Sequence, residues 1–210
     1  MKNRNLSYVG ISFIILIFGI WAVPKIIEKF KKQDLYMVGK APSFSLTNQN
    51  NQIINNQTML GKVYIVEFFF STCPTICPVM NQNMKLIHNH FFGNPNFGVV
   101  SITIDPEHDT AEVLKKHAQN IGCLHPNWHF LTGEKSNIFN IANKGFNIYA
   151  GENKNVAGGF EHSGLCALID KNGNIRCRYD EQKNPIIYYD GLDKKGVEDI
   201  KKDLEILLAE

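Results

Sequence analysis

The chain has 210 residues, which is enough for one ordinary domain and an additional segment but too few for two full domains. Apolar residues make up 44% of the chain, so a large hydrophobic core can form. The formal net charge is +2, from 22 basic and 20 acidic residues, and this balance argues against a nucleic-acid partner. Five cysteines are an odd number and too few for a disulfide scaffold of this size.

The first 38 residues predict a membrane anchor followed by a tether. Residues 6–23 carry no charge, and this run is close to the about 20 apolar residues that span a bilayer. A cleaved signal peptide is the alternative, but its apolar region is shorter and ends at a small-residue cleavage site that is missing here. We therefore predict one transmembrane helix within residues 1–24 and a basic tether over 25–38. Lysines and an arginine flank the run on both sides, so the charges do not decide its orientation.

The globular domain, predicted over 39–210, begins with strands and helices in alternation. Residues 62–70 are nearly all β-branched or aromatic, which is typical of a strand buried on both faces. Asp109 or Thr110 can cap a later helix. The other predicted elements are a strand over 41–46, a polar turn-like stretch over 48–57, a helix over 79–91, a strand over 97–104, a turn over 105–110 and a helix over 111–121. Their order predicts a right-handed βαβ unit with parallel strands.

The second half of the domain predicts a hairpin near the end of the chain. Two strand-like runs, 164–170 and 174–179, flank Asn172-Gly173, and an Asn-Gly pair in this position is a strong hairpin signal. The other predicted elements are a short strand over 128–131, a helix over 136–144, a Gly-rich loop over 156–160 and a closing helix over 197–208.

Cys73 and Cys77 lie between the buried strand and the helix that follows it. This edge of an α/β sheet is where ligands bind. Pro78 suits the first turn of a helix, so Cys77 lies at the helix entrance, where N–H groups and the helix dipole stabilise a thiolate. The C-x-x-x-C spacing allows a disulfide, two sulfurs on one ion, or a buried pair without function. Soft sulfur ligands suit Cu(I) and also Zn(II).

A nitrogen ligand would have to come from one of seven histidines. His162 follows a flexible Gly-rich stretch and precedes a predicted strand, so its loop can approach the edge that carries the cysteines. We expect His88 and His90 to be solvated on the outer part of their helix. The others show no signature of a partner residue.

Three segments of the chain resemble the Sco/SenC family. Residues 68–78 (FFFSTCPTICP) are similar to its copper motif, residues 103–110 (TIDPEHDT) to its S-V-D-P-x-x-D-T segment, and residues 161–163 (EHS) to its D-H-S ligand motif. The three occur in the family's order, and the resemblance covers about residues 39–208. It implies an α/β, thioredoxin-like fold with a central mixed sheet flanked by helices, behind one N-terminal transmembrane helix.

The resemblance also implies a function and a site. The family's copper ligands correspond to Cys73, Cys77 and His162, which would hold Cu(I), Cu(II) or both. The implied role is that of a metallochaperone assisting assembly of the copper centre of cytochrome c oxidase. Its partner would be the copper-receiving subunit or another copper chaperone. The implied location is the bacterial inner membrane, with a single pass and the soluble domain facing the periplasm.

An alternative function needs only the two cysteines. A membrane-anchored thiol–disulfide oxidoreductase would use Cys73 and Cys77 and would not require His162. His162 therefore separates the two hypotheses, because it is essential for copper binding and dispensable for disulfide exchange.

Several residues depart from the family pattern or have no clear role in it. Glu161 replaces the usual Asp before the ligand histidine. Asp105, by analogy, tunes the site or meets a partner protein, although turn chemistry explains it equally well. Cys166 and Cys177 lie on opposite arms of the predicted hairpin, where they either form a second disulfide or are simply buried, and we favour burial. Cys123 has no partner and is expected to be inert.

Overall fold

The computed structural model describes residues 4–30, 34–123 and 125–210, with the side chains of the first helix described from residue 10 to residue 24. The chain divides into two compact units, Met1–Asp34 and Leu35–Glu210. In the first unit, helix α1 runs over Arg4–Phe30 and continues through Pro24. Within the described ranges, no helix combines the length and the apolar character needed to cross a membrane. The predicted transmembrane helix is therefore not confirmed.

The predicted tether over 25–38 differs from the structure at both ends. Helix α1 extends to Phe30, and strand β1, Tyr36–Lys40, already belongs to the second unit. Residues 31–33 lie outside the described residues. Strand β1 pairs with a strand near the other end of the domain, with Tyr36 opposite Cys177. Because that partner lies so far along the chain, the local pattern of residues 36–40 does not indicate a strand.

Three parallel strands form the centre of the sheet: β4 (Val63–Phe69), β5 (Phe97–Thr103) and β6 (Trp128–Thr132). Strands β4 and β5 are buried at every position, as their aromatic and β-branched residues predict. β5 lies between the other two and pairs in parallel with both. The parallel βαβ arrangement is thereby confirmed, and the carboxyl end of β4 leads directly to the cysteine pair.

Antiparallel strands extend this centre on both sides, so the sheet is mixed, as predicted. The additional strands are β2 (Ser45–Asn48), β3 (Ile53–Asn55), β9 (Leu165–Ile169), β10 (Asn174–Tyr179), β11 (Pro185–Ile186) and β12 (Tyr189–Asp190). Among the described residues the strand order is β1-β10-β9-β4-β5-β6-β2-β3, with β11 beside β10 and β12 beside β9. A separate hairpin is formed by β7 (Ala150–Glu152) and β8 (Phe160–His162), and the predicted Gly-rich loop lies between these strands except for Phe160.

Helical segments lie against both faces of the sheet. They are α2 (Asn56–Met59), α3 (Cys77–His90), α4 (Ala111–Asn120), α5 (Lys135–Phe139), a π-helical segment (Asn140–Phe146) and α6 (Lys194–Ala209). Glu67 of β4 shares a cavity with residues of α3 and α6. The ring of its neighbour Phe68 contacts Phe146 of the π-helical segment. Since adjacent strand residues point to opposite faces, these helical segments cover different faces of the sheet.

Capping residues decide where two of the helices begin. The hydroxyl of Thr110 accepts a hydrogen bond from the N–H of Val113 at 3.4 Å, so Thr110 rather than Asp109 caps α4. Helix α6 begins at Lys194, three residues before the predicted start at 197. Its cap is Asp193, whose carboxylate accepts from the N–H groups of Lys195 and Gly196. The prediction followed the apolar face of this helix, and the apolar face starts later than the cap.

The predicted hairpin of β9 and β10 is confirmed, and its register separates two cysteines. Leu168 pairs with Arg176 and Ile169 with Ile175. Side chains alternate between the faces of a sheet, so Cys166 lies on the face of Leu168, and Cys177 lies on the face of Ile175. The two thiols are buried and free in the structure. Because they point to opposite faces, the disulfide considered for this pair would require rearrangement of the strands.

Candidate metal centre

The cysteine pair lies where β4 ends and α3 begins. Cys77 is the first residue of α3, and Pro78 occupies the first turn, where its missing N–H costs no helical hydrogen bond. The N–H of Cys73 donates to the carbonyl of Phe70 at 3.2 Å, which turns the chain back towards the helix. The cap residue Ile76 makes no side-chain hydrogen bond, and the backbone N–H of Cys77 donates to the Cys73 sulfur.

His162 reaches the pair from the separate β7–β8 hairpin. It lies opposite Ala150 in the hairpin. The side chain of Asn143 anchors Ala150 through two hydrogen bonds, one to its carbonyl at 2.8 Å and one from its N–H at 3.0 Å. The Nδ1 atom of His162 lies 3.0 Å from the carbonyl of Ser163. A carbonyl can only accept, so Nδ1 carries the proton and the lone pair is on Nε2.

The three candidate ligands converge. The Nε2 atom of His162 lies 3.2 Å from the Sγ atom of Cys77. The two sulfurs and one ring nitrogen of the trio all lie within 4.8 Å of one another, and all three residues are buried. A cluster of this size allows one ion to contact all three donors after small adjustments. Two thiolates and one imidazole suit Cu(I), and such a site can also bind Zn(II).

The protonation states of the three groups differ. Burial raises the pKa of the Cys73 thiol, but the N–H groups of Cys77 and Thr75 and the Thr75 hydroxyl outweigh it, so the pKa is lowered overall. Burial, with the charges of Cys73 and Glu67, raises the pKa of Cys77 well above its usual value. Burial also lowers the pKa of His162 and keeps its imidazole neutral. Cys73 is therefore the first thiolate, and His162 is ready to act as a ligand.

Aromatic rings and a glycine shape the wall around His162. The ring of Phe70 meets His162 edge to face, with centroids 5.8 Å apart, and also contacts Phe160 at 5.5 Å. Gly158 has a φ of +90°, and a Cβ atom there would lie 2.8 Å from the Phe70 ring and 3.3 Å from Pro74. The loop can approach Phe70 only because this residue has no side chain.

The structure places Asp105 and Glu161 outside the cluster of donor atoms. Asp105 is half-buried in the turn after β5, where its carboxylate accepts from the N–H of His108 at 3.4 Å. Glu161 is exposed, and its carboxylate accepts from the side chain of Asn153 at 3.1 Å. Since Glu161 and His162 are neighbours on a strand, their side chains point to opposite sides. The replacement of Asp by Glu therefore falls on the side away from the metal ligands.

Asp109 holds the cysteine loop in place, a role that sequence reasoning missed. It is fully buried at the end of the turn, and one of its oxygens accepts from the N–H of Ser71 at 3.0 Å. The hydroxyls of Ser71 and Thr103 also donate to this carboxylate. Asp109 thus ties the loop before Cys73 to the end of β5. The only local signal was an acidic residue next to a helix start, which suggested a cap instead.

The remaining histidines and cysteines lie outside the cluster. His88, expected to be solvated, is buried among aromatic rings, with centroids 5.2 Å from Trp128 and 5.7 Å from His125. The helix periodicity did not reveal that the face of α3 carrying His88 packs against Trp128, the first residue of β6. Cys123 is partly buried and free, and burial raises the pKa of its thiol to about 12, so it is a poor nucleophile.

Known proteins resemble this chain in sequence and in fold. The family described as SCO1/SenC matches residues 35–195. A SCO2-like protein of Rickettsia typhi is 34% identical over 145 residues, which cover 67% of this chain and 69% of that protein. The structure of BsSco, described as a member of the Sco family of cytochrome c oxidase assembly proteins with a disulfide switch, has 25% identity and a TM-score of 0.70. That likeness covers 83% of this chain and 98% of BsSco.

A copper-bound structure lies among the similar folds. Yeast Sco1 with copper bound has 27% identity and a TM-score of 0.59, covering 79% of this chain and 88% of the yeast chain. The match over most of the second unit confirms the predicted thioredoxin-like fold of the Sco type.

Proposed function

This chain belongs to the SCO1/SenC family, and we propose that it is a copper metallochaperone that assists assembly of the copper centre of cytochrome c oxidase. The observation that carries the proposal is the convergence of Cys73, Cys77 and His162, whose donor atoms lie within 4.8 Å of one another. The copper-bound yeast relative and the description of BsSco as an oxidase assembly protein support it. Copper is here the cargo that the chain carries.

The donor set suits a carrier. Cys73 loses its proton most readily, so it can capture copper first, and Cys77 releases its proton as the metal binds. The Nε2 lone pair of His162 completes the set. A soft thiolate or thioether of the recipient can then displace these ligands one at a time. The recipient is the copper-receiving subunit of the oxidase or another copper chaperone.

Copper titration of the full chain tests this function. We expect one copper per reduced chain, with a thiolate-to-copper absorption band, and loss of this binding in Cys73→Ser and in Cys77→Ser. Cys123→Ser is the matched control, because its thiol lies outside the cluster, and it should bind copper as the unaltered chain does. Stoichiometric copper binding in Cys73→Ser would contradict the proposed site.

A second function rests on the asymmetry of the two thiols. The Cys73 thiol has a lowered pKa and the neighbouring Cys77 thiol a raised one, which suits a nucleophile and a second thiol that follows it. In disulfide exchange, the Cys73 sulfur attacks a partner disulfide and one partner thiol leaves. Cys77 then attacks the mixed disulfide, so the pair is oxidised by two electrons and the partner reduced. His162→Ala distinguishes the functions, because it removes a copper ligand and neither sulfur.

We also propose that the chain is attached to the bacterial inner membrane, with the unit Leu35–Glu210 facing the periplasm. The charge-free run over 6–23 supports attachment, and the chemistry of an exported copper carrier supports the orientation. Membrane fractionation with alkaline carbonate tests the attachment. Protease treatment of spheroplasts tests the orientation, since only a periplasmic unit is digested without lysis. Recovery of the chain in the soluble fraction would overturn the attachment.

A further inference from the structure

A groove of about 400 Å³ opens beside the cysteine pair, between helices α3 and α4. Cys73 and Cys77 line one part of it. A second groove, of about 280 Å³, contains His162 and its aromatic neighbours, and it also reaches Cys73. Cys73 therefore borders both grooves, and the groove between α3 and α4, here named the amide groove, is not lined by His162.

Amide side chains without partners line the amide groove. Asn81 and Gln82 of α3 line one wall, and Asn120 at the end of α4 lines the other. None of these three side chains makes a hydrogen bond with any described residue. Each offers N–H donors and a carbonyl acceptor, which together match the peptide groups of an extended polypeptide. The lining is thus suited to a backbone rather than to a single ion.

The charge at the far end of the groove favours an anion. Lys85 is exposed, and it is the one Lys, Arg, Asp or Glu among the described residues that line the groove. Burial lowers the pKa of His117 and keeps it neutral. No carboxylate within the described part of the chain forms an ion pair with Lys85. A ligand that follows the groove away from the cysteines therefore meets an unneutralised ammonium group.

The length of the groove sets the spacing of the ligand groups. Cys77 and Lys85 are eight residues apart on α3, and a rise of about 1.5 Å per residue places them about 12 Å apart along the helix. An extended chain covers about 3.3 Å per residue. Three or four residues of an extended ligand therefore span the distance from the cysteine pair to Lys85.

We propose that the amide groove binds an extended segment of the partner polypeptide, in which a cysteine reaches Cys73 and a carboxylate three or four residues away meets Lys85. The inference rests on the proposed function, because it names the recognition element of the partner that exchanges copper or disulfides with this site. It assigns the choice of partner to α3 and α4 and leaves metal holding to Cys73, Cys77 and His162.

Short activated peptides test the spacing and the charge. Each peptide carries one cysteine joined through a disulfide to neutral 2-thiopyridine. The Cys73 thiolate attacks the peptide sulfur, a new disulfide forms, and 2-thiopyridine leaves and is followed by absorbance. The full reduced chain is used in mild detergent. Peptide mapping of Cys77→Ser, which cannot expel the peptide from the mixed disulfide, confirms that the adduct forms on Cys73. The series places Glu three residues from the cysteine, places Glu next to it, or replaces the distant Glu by Lys.

We expect the peptide with the distant Glu to react about three- to fivefold faster than the other two, the range expected of a partly exposed charge pair. In Lys85→Glu the preference should reverse in favour of the Lys peptide. The preference is the ratio of the rates of the Glu and Lys peptides in one variant. A general loss of reactivity lowers both rates and leaves this ratio unchanged. Lys115→Glu is the matched control, since it makes the same charge change on α4 at a residue that does not line the groove.

Equal rates for the three peptides would overturn the inference, and so would a preference that Lys115→Glu removes as well as Lys85→Glu. The inference would also be overturned if both Glu peptides reacted equally fast and faster than the Lys peptide. Long-range electrostatic attraction alone explains that result. If the chain binds copper while the peptides show no preference, the groove assignment fails and the proposed function stands. If the chain binds no copper, the proposed function fails whatever the peptides show.

Discussion

The Nε2 atom of His162 lies 3.2 Å from the Sγ atom of Cys77, while its Nδ1 atom is held by the carbonyl of Ser163 at 3.0 Å. The carbonyl keeps the proton on Nδ1 and directs the Nε2 lone pair at the sulfurs. His162 thus approaches the cysteine pair in the tautomer that a metal ligand needs. This relationship distinguishes the site from a simple dithiol.

His162→Ala should weaken copper binding by at least about tenfold, because it removes one of three donors. Competition with a copper chelator measures the change. Oxidation of the Cys73–Cys77 pair should be unaffected, which a thiol count after mild oxidation checks. His90→Ala is the matched control, since His90 is exposed and pairs with Glu205 on the surface. Unchanged copper affinity in His162→Ala would remove His162 from the site.

Cys73 should be alkylated before Cys77. The pKa of Cys73 is lowered and that of Cys77 is raised, so Cys73 holds the larger thiolate fraction at neutral pH. Limited treatment with iodoacetamide followed by peptide mapping measures the order. As pH falls, the reaction at Cys73 should persist below the usual thiol range. Preferential labelling of Cys77 would contradict the assignment of Cys73 as the first thiolate.

Gly158→Ala should destabilise the domain more than Gly159→Ala. Both glycines have positive φ, +90° and +78°, so both substitutions cost about 1 kcal/mol in backbone strain. At Gly158 the new methyl group also meets the Phe70 ring at 2.8 Å, which adds about 1–3 kcal/mol. At Gly159 the new methyl group would meet no atom of the described residues within 4 Å, its chain neighbours aside.

Denaturant unfolding of the two glycine variants gives the difference in free energy. Copper affinity should fall with it in Gly158→Ala, because Phe70 contacts the ring of His162. Equal unfolding free energies for the two variants would show that contact between the new methyl group and Phe70 does not reduce stability.

Asp109→Asn should destabilise the domain by about 2–4 kcal/mol, because an amide N–H₂ replaces an oxygen that accepts hydrogen bonds in a fully buried place. The loop before Cys73 loses its tie to β5, so copper affinity should fall as well. Asp105→Asn is the control and should cost less than about 1 kcal/mol, since Asp105 is only half-buried. Thermal and urea unfolding measure both. An equal effect of the two substitutions would argue against a special role for Asp109.

Glu67 should make stability depend on pH. Burial, only partly offset by a hydrogen bond from Ser101, raises the pKa of its carboxyl to about 7, compared with about 4.3 in an unfolded chain. The folded chain therefore keeps a proton that the unfolded chain loses. Its contribution is fully present below about pH 4.3 and is lost as pH rises through about 7, by on the order of 4 kcal/mol.

Urea unfolding at a series of pH values, compared between the unaltered chain and Glu67→Gln, isolates this effect. The amide cannot ionise, so the variant should lack the decline in that pH window. Parallel curves for the two proteins would mean that Glu67 does not hold an additional proton in the folded state.

Local patterns in the sequence predicted much of the fold and the cysteine pair of the site. The run over 62–70 predicted the buried strand β4, and the two cysteines at its end predicted a reactive pair at a helix entrance. These features depend on neighbours within a few residues, such as the strand, the turn and Pro78. The order of strands and helices likewise predicted the parallel centre of the sheet.

Contacts between distant segments decided the rest. Burial of His88, the tie from Asp109 to Ser71 and the pairing of β1 with β10 each join elements that local periodicity treats separately. Cys166 and Cys177 are both buried and free, and only the register of the hairpin shows that their thiols lie on opposite faces of the sheet.

The sequence by itself determined the cysteine pair, the parallel core and, through resemblance to a family, the candidate role of His162. Only the tertiary structure decided that the His162 ring, 85 residues from Cys77, arrives with its lone pair towards the sulfurs. It also revealed a groove beside the pair, lined by amide side chains that make no hydrogen bond with the described residues. The physical reason is that a metal site and a binding groove depend on distances between side chains, and those distances are set by how separate elements fold against one another.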